Sequence, residues 1–485
     1  MAGLYIHIPF CTQKCIYCDF LSGTNLSLRE QFIDALIAEM DCYLDFFNED
    51  KIRTIYFGGG TPSLLSVDEL KRIYDAIAER WDVSEVEEFT MECNPDDLSE
   101  EYLEALILSP CLRGTSEAEG VGRDNTALNS ESNDNIGLPI NRLSIGVQSF
   151  VDDELKWLNR RHTATEAIEA VKRAKRAGFK NITIDLMFAL PVQTLDSLNY
   201  SINKVLELGV QHISAYSLMF EPDSKITKLM EQNRLEPLDE DTAADMFDLL
   251  SQRLTEAGYE QYEISNYAKS GFESRHNSGY WHGMRYLGLG PSAHSFDGEQ
   301  RWSNVAHTIK YNAQCITNGL ELKRKMHNAQ LLTPSASLVP LRQGDNSRVS
   351  EVVFKEQGDN SSQSIMHNAQ LTSSPSGLPL GQGENIERDQ AVRGDNSWVD
   401  VIRSVEVLSE DERFNELVFT ALRTKIGVDL VELRVRFGDK RSDRLLRQAQ
   451  KYINSGRMKV EDNRLSLTRA GIYISDAIIS DFMIV

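Results

Sequence analysis

Three cysteines fall within eight residues in the stretch YIHIPFCTQKCIYCDF, Tyr5 to Phe20: Cys11, Cys15 and Cys18, spaced C-x3-C-x2-C. Thiolates on one loop can serve as packed core groups, form a disulfide, hold zinc or hold an iron-sulfur cluster. A structural zinc site wants four protein ligands, and no fourth Cys or His follows at finger-like spacing. A four-iron cube held by three thiolates keeps one iron open for a substrate or cofactor. The aromatic Tyr17, directly before the last cysteine, makes the spacing more specific. Cys42, Cys93, Cys111 and Cys315 have no comparable arrangement and read as ordinary packed or half-exposed thiols.

Further polar groups recur where apolar runs end. YFGGGTPSLL puts three glycines before Thr61, Pro62 and Ser63, where backbone could approach a small ligand closely. Glu92 in MECNP, Gln148 in IGVQSF and Asp185 in IDLMFALP each interrupt a run of otherwise apolar residues. Taken together they outline one pocket.

These groups need a scaffold, and the pattern supplies one. Apolar runs of strand length alternate with amphipathic stretches, the signature of βα repeats around a parallel sheet. Strands are expected at Leu4 to Ile8, Ile52 to Phe57, Glu88 to Cys93, Asn141 to Val147, Ile182 to Phe188 and His212 to Leu218. Helices are expected at Leu28 to Phe46, Val67 to Trp81, Thr165 to Ala177 and Leu195 to Leu208. Gly178 is suited to a left-handed cap after the third of these helices. Six such units predict an α/β fold, a partial (β/α)6 barrel of TIM type with its site at the carboxyl ends of the strands.

Two stretches break the order. Leu112 to Gly137 is poor in apolar residues and reads as a surface insertion, 112–137. From Met326 to Trp398 the composition is similar and repetitive: MHNAQL occurs at Met326 and Met366, and QGDNS at Gln343 and Gln357 returns as RGDNS at Arg393. The units lack a face that stacking could bury, so 326–398 reads as a low-complexity insertion. The domain plan is therefore a barrel over 1–325, the insertion 326–398, and a C-terminal module over 399–485. That module is a small α/β unit of winged-helix type, with a helical pattern in ERFNELVFTALRTKIGVDLVELRVRFG, a second helix around Ser442 to Asn454, a hairpin turning at EDNR and a terminal helix.

The chain has 485 residues and a formal charge of -22, which repels polyanions. The module shows no dense basic stripe, so no nucleic-acid partner is expected. Seven cysteines, with the trio unlike a disulfide framework, favour a reducing compartment, the cytoplasm. MAGLYIHIPF reads as a strand rather than a signal segment, and no run of about 18 apolar residues occurs, so membrane contact would be peripheral.

The cysteine motif after a first strand resembles the cluster loop of the radical S-adenosylmethionine (SAM) superfamily. YIHIPFC, GGGTPS, ECNP, RLSIGVQSF, NRRH and GLGPSAHSF are similar to the branch holding oxygen-independent coproporphyrinogen III oxidase and a related heme chaperone. The resemblance covers the barrel and the C-terminal module. It implies a radical SAM barrel with a [4Fe-4S] cluster on Cys11, Cys15 and Cys18 and S-adenosyl-L-methionine at the open iron. It further implies contacts to that SAM from Tyr5, Gly60, Glu92 and His294. Tyr17, Thr61, Gln148, Arg160, Asp185 and Ala215 match positions that contact a second SAM in the oxidase.

Two features separate the relatives. The oxidase has a further cysteine two places after the third ligand, where this chain, like the chaperone, has Phe20. HNSGYW, His276 to Trp281, matches the H-N-x-x-Y-W signature associated with heme binding in the chaperone, with His276 as the heme contact and Tyr280 and Trp281 offering ring faces. The resemblance thus implies a chaperone that binds heme and transfers it to acceptor hemoproteins, respiratory ones at the inner face of the membrane, and that has no oxidase activity. The alternative is the oxidase, which decarboxylates two propionates of coproporphyrinogen III by radical chemistry.

Overall fold

A computed structural model describes residues 2–48, 50–107, 138–222, 224–331 and 402–484. Both expected insertions fall largely outside these residues. The second was expected to start at Met326, yet Met326 to Leu331 are the last residues of a long helix, Thr308–Leu331, so helix extends beyond the predicted boundary.

The strands are β1 (Ala2–Ile8), β2 (Ile52–Gly59), β3 (Glu88–Cys93), β4 (Arg142–Gln148), β5 (Asn181–Phe188), β6 (His212–Ser217), β7 (Glu260–Gln261), β8 (Asn266–Ala268), β9 (Arg285–Leu289), β10 (His294–Phe296), β11 (Gln300–Asn304), β12 (Ile402–Val407), β13 (Val428–Asp429), β14 (Met458–Glu461) and β15 (Arg464–Leu467). The helices are α1 (Arg29–Met40), α2 (Val67–Arg80), α3 (Glu100–Ile107), α4 (Asp152–Trp157), α5 (Ala164–Ala177), α6 (Leu195–Leu208), α7 (Lys225–Glu231), α8 (Glu240–Glu256), α9 (Arg275–Trp281), α10 (Thr308–Leu331), α11 (Glu410–Leu422), α12 (Leu430–Asn454), α13 (Arg469–Ile472) and α14 (Ser475–Ser480).

β1 to β6 pair in sequence order, all parallel, as the partial (β/α)6 barrel of the expected α/β class. Their residues are buried on both faces, which is why the sequence shows nearly unbroken apolar runs. Local signals fix the helix starts: Ser66 with Glu69, and Thr163 with Glu166, form reciprocal capping boxes on α2 and α5. Gly178 takes the left-handed cap, φ 105°, that ends α5.

Sequence periodicity did not reveal how the sheet continues. β9 returns parallel to β1, pairing Leu4 with Leu287, and β10, β11 and β12 extend that edge antiparallel. β8 and β7 extend the other edge beyond β6, so among the described residues the sheet has twelve strands and stays open. Helix α1 is also shorter than expected, ending at Met40 instead of Phe46. The residues after it form turns that set Phe46 against Trp302 and Phe47 against Trp81, at centroid distances of 6.1 and 5.4 Å. Aromatic packing there outweighs helix propensity.

Residues 410–482 build a second apolar core around Phe414, Val418, Leu433, Leu445 and Phe482. A three-stranded antiparallel sheet, β13-β15-β14, packs with the helices. Its hairpin turns at Asp462 and Asn463, both with positive φ, as a two-residue EDNR turn requires.

One buried carboxylate fastens α1 to the extended sheet edge. Glu39 accepts hydrogen bonds from the Gly290 N–H at 2.8 Å, from Asn304 Nδ2 at 2.5 Å and from the Tyr311 hydroxyl. Burial lifts its pKa from 4.5 to about 7, although these three donors pull the other way. The folded-state value exceeds the unfolded one, so the stabilisation is fully present below pH 4.5 and is lost as pH rises through about 7. Glu39→Ala leaves three buried donors unsatisfied and should cost about 3 kcal/mol, read as a lower urea midpoint. Glu39→Gln cannot ionise and should flatten the fall in stability over that pH window; a slope identical to that of the unmodified chain would refute the assignment.

Candidate functional site

The carboxyl ends of β1 to β6 open onto a cleft enclosing about 1250 Å³ free of protein atoms, open solvent included. Ten of the fourteen residues expected at the site line it: Cys11, Cys15, Cys18, Tyr17, Gly60, Thr61, Glu92, Gln148, Arg160 and Asp185. Phe20 is on the same wall.

The cysteine loop is held at both ends. The Cys11 N–H donates to Gly23 O at 3.0 Å, and the Ile16 N–H donates to Leu158 O at 3.3 Å. From below, the glycine run of β2 presses against it. A Cβ on Gly60 would lie 2.6 Å from Phe10 O and 2.7 Å from Ile8 O, and the Gly60 N–H donates to Ile8 O at 2.8 Å. Gly59 has φ 103°, and a side chain there would overlap the His7 ring. Both glycines are therefore required by packing, before any ligand is considered.

Thr61 Oγ1 lies 3.3 Å from Cys11 Sγ and accepts from Asn94 Nδ2 at 3.2 Å. Asn94 in turn accepts from Arg160 Nη2 at 2.6 Å, while Arg160 Nη1 donates to Cys15 Sγ at 3.4 Å. The guanidinium also donates to Gly146 O at 2.5 Å. One cation thus reaches both the cysteine loop and the end of β4. At that end Gln148 has φ 69° next to a bulge in the β4–β5 pairing, a strained conformation that leaves its amide beside Gly146 on the cleft wall.

Deeper in the cleft lie two carboxyls whose charge the fold disfavours. Glu92 accepts from the Tyr56 hydroxyl at 2.7 Å and from the Gly59 N–H at 3.1 Å. Burial nevertheless raises its pKa to about 7, and the nearby Asp185 adds to the rise. Burial likewise raises Asp185 to about 6, against hydrogen bonds such as that from Ser144 Oγ at 3.1 Å. Burial and the neighbouring thiols push Cys18 up to about 12 and raise Cys11 as well. A cluster of thiols, carboxyls and a phenol facing one guanidinium is a donor set that a cationic group would complement.

Among the described residues, no three His, Cys, Asp or Glu side chains are arranged to hold a single metal ion. The three thiols line a cleft rather than closing on a point. A multi-iron cube takes each thiolate on a different iron and so needs ligands spread around it, whereas a tetrahedral ion needs them converged. Three soft thiols on one loop are the donor set that a four-iron cube takes, one thiolate to each of three irons.

Four expected site residues do not line this cleft. Tyr5 is a layer below, its hydroxyl 3.1 Å from His7 Nδ1 and its ring 6.0 Å from that of Tyr56. Ala215 is buried on β6, its N–H donating to Ser265 O at 2.7 Å. His294 starts β10, where its carbonyl lies over Gly288.

His276 lies furthest from this cleft in character. It sits at the opposite, amino end of the barrel, completely buried, with Nδ1 2.7 Å from Thr54 Oγ1 and Nε2 2.9 Å from the Tyr280 hydroxyl. Its ring stacks on Tyr56 at 5.0 Å, and burial lowers its pKa to about 3. With both ring nitrogens hydrogen-bonded inside the core, the residue ties α9 to β2. The Glu88 carboxylate completes this tie by accepting from the Arg275 and His276 N–H groups, each at 3.0 Å.

Sequence reasoning passed over Asn94, Ser144 and Tyr216, all of which line the cleft. Asn94 lies inside the ECNP motif itself. Ser144 and Tyr216 carry the signal that singled out Glu92 and Asp185, a polar group within an apolar strand.

Comparison with known proteins agrees with this architecture. Residues 5–113 and 133–205 match the radical SAM superfamily, and residues 408–474 match the HemN C-terminal domain. The chain is 38% identical over 307 residues to the heme chaperone HemW of Lactococcus lactis, covering 63% of this chain and 73% of that protein. It is 38% identical over 313 residues to heme chaperone HemW of Bacillus subtilis, covering 64% and 75%. Among solved structures, coproporphyrinogen III oxidase (HemN) from Escherichia coli superposes with a TM-score of 0.67 over 99% of this chain and 90% of that one, at 17% identity, a likeness of fold alone. The relatives' identity over most of their length, on a barrel whose cysteine loop, glycine run and strand-end polar groups share one cleft, puts the chain in the heme chaperone HemW family of the radical SAM superfamily.

Proposed function

We propose that this chain is a cytoplasmic heme chaperone that carries a [4Fe-4S] cluster with exchangeable SAM, binds heme and passes it to acceptor hemoproteins, respiratory ones among them. The observation that carries the reading is the single cleft in which Cys11, Cys15 and Cys18 meet Gly60, Thr61, Glu92 and Arg160. In it the three thiols would hold the cluster, and Gly60 with Glu92 would hold the polar end of SAM. When bound, the cluster would supply an electron source and an open iron that SAM could chelate.

The protein's own groups have defined tasks in this reading. Arg160 offsets thiolate charge beside Cys15 and fixes Asn94 and Thr61 around the loop. Glu92, oriented by Tyr56 and the Gly59 N–H, can accept a hydrogen bond from an ammonium group when ionised. Phe20 gives the wall an apolar group where the oxidase has a cysteine. Among the described residues no helix is long and apolar enough to cross a membrane, so delivery to a membrane-bound acceptor would use surface contact.

Anoxic reconstitution of the full chain with iron and sulfide should give Mössbauer parameters of one [4Fe-4S] cluster per chain. Cys15→Ala should lose most of that iron while keeping its circular dichroism. Iron content unaffected by the substitution would exclude the trio as ligands. The reconstituted chain, given coproporphyrinogen III, SAM and reductant, should yield no protoporphyrinogen, while hemin titration should saturate near one equivalent. Turnover to protoporphyrinogen would move the reading to the oxidase.

A further inference from the structure

Helix α4 ends in a Schellman turn that touches the cysteine loop. The Asn159 N–H donates to Lys156 O at 3.0 Å and the Arg160 N–H to Leu155 O at 2.8 Å. Such a turn needs one left-handed residue, and Asn159 supplies it with φ 60°. Glycine is the usual occupant; asparagine tolerates the conformation and, unlike glycine, carries an amide. Here Asn159 Nδ2 donates to Lys14 O at 2.8 Å, and Asn159 O accepts from Gln13 Nε2 at 3.0 Å. Resting on the cluster reading above, we propose that Asn159 is a positioning residue for the iron-sulfur cluster, holding the three residues between Cys11 and Cys15 in the shape that presents both thiols.

Those three residues need such a hold. Thr12, Gln13 and Lys14 are all exposed, so burial in a core does not orient them. The loop first enters a core at Ile16, which packs in one cluster with Leu158 and Ile226. The Ile16 N–H donates to Leu158 O at 3.3 Å, and its carbonyl accepts from the Ile226 N–H at 2.9 Å. Upstream, Cys11 is fixed through Gly23 and Thr61. Between these two anchors, the bonds to Asn159 set the path of the backbone.

Three consecutive residues therefore act on the loop from one helix end. Leu158 O takes the Ile16 N–H, Asn159 takes Gln13 and Lys14, and Arg160 donates to Cys15 Sγ at 3.4 Å. The turn that places the amide also places the guanidinium. A loop ordered before iron arrives loses less conformational entropy on binding it than one that must order around it. Deleting the amide should thus weaken cluster retention and leave the barrel folded.

Asn159→Gly and Asn159→Asp in the full chain test the assignment, with circular dichroism to establish that each variant folds. Glycine keeps the left-handed turn and removes the amide; aspartate keeps the size and turns an acceptor toward the Lys14 carbonyl. Asn233→Gly is the control, because the exposed Asn233, φ 53°, ends α7 in a turn of the same kind. In the metal-free chain, hydrogen exchange over Cys11 to Ile16 should quicken about fivefold in Asn159→Gly, the size of one lost hydrogen bond. After anoxic reconstitution, both Asn159 variants should lose iron to a chelator several times faster than the unmodified chain. The reduced cluster should also show shifted g values in electron paramagnetic resonance, while Asn233→Gly matches the unmodified chain throughout. Iron loss at the unmodified rate in both Asn159 variants overturns the proposal while the cluster reading stands. Equal acceleration in Asn233→Gly overturns it as well, since that would report loosened helix ends. An unmodified chain that takes up no cluster overturns both.

Discussion

The site depends on two glycines having no side chain. Gly59 and Gly60 allow the end of β2 to lie against the end of β1, close enough for the Gly60 N–H to reach Ile8 O and for the cysteine loop to rest on bare backbone. From that contact the rest follows in order. The loop is anchored, Thr61 comes within reach of Cys11, Asn94 bridges Thr61 to Arg160, and Arg160 returns to Cys15. Any methyl group at Gly60 would push apart the two strands whose ends define the cleft.

The molecule has two ends of different chemistry. At the carboxyl ends of the strands, thiols, carboxyls and a guanidinium share one cleft; at the amino ends, aromatic rings and arginines share another. Buried contacts run between them: Glu92 accepts from Tyr56, the Tyr56 ring stacks on His276, and His276 meets the Tyr280 hydroxyl. The histidine of the HNSGYW segment is thus a girder of the barrel's interior, which accounts for its complete burial and low basicity.

Much of this was legible in the chain itself. The six parallel strands were, because strands covered on both faces cannot hide their apolar runs. So were the cleft residues, because polar groups at the ends of such runs have few structural uses. The return of β9 to pair with β1 was not, because pairing across such a separation leaves no local mark in RYLGL. The burial of His276 was not legible for a related reason. A motif states which side chains are near each other in sequence, but whether an imidazole faces solvent or Thr54 depends on a strand far from it. The cleft at the amino ends, where Tyr280 and Trp281 meet α11, depends on a third segment brought in by the C-terminal core.

The pairing of β1 with both β2 and β9 bears on biosynthesis. On a ribosome, β1 can join β2 early, yet its opposite edge stays unpaired until Leu287 has been made. Until then this apolar edge is a hazard for association with other nascent chains. The late arrival of β9 then closes it, a long-range step that makes the folding of this sheet intrinsically slow.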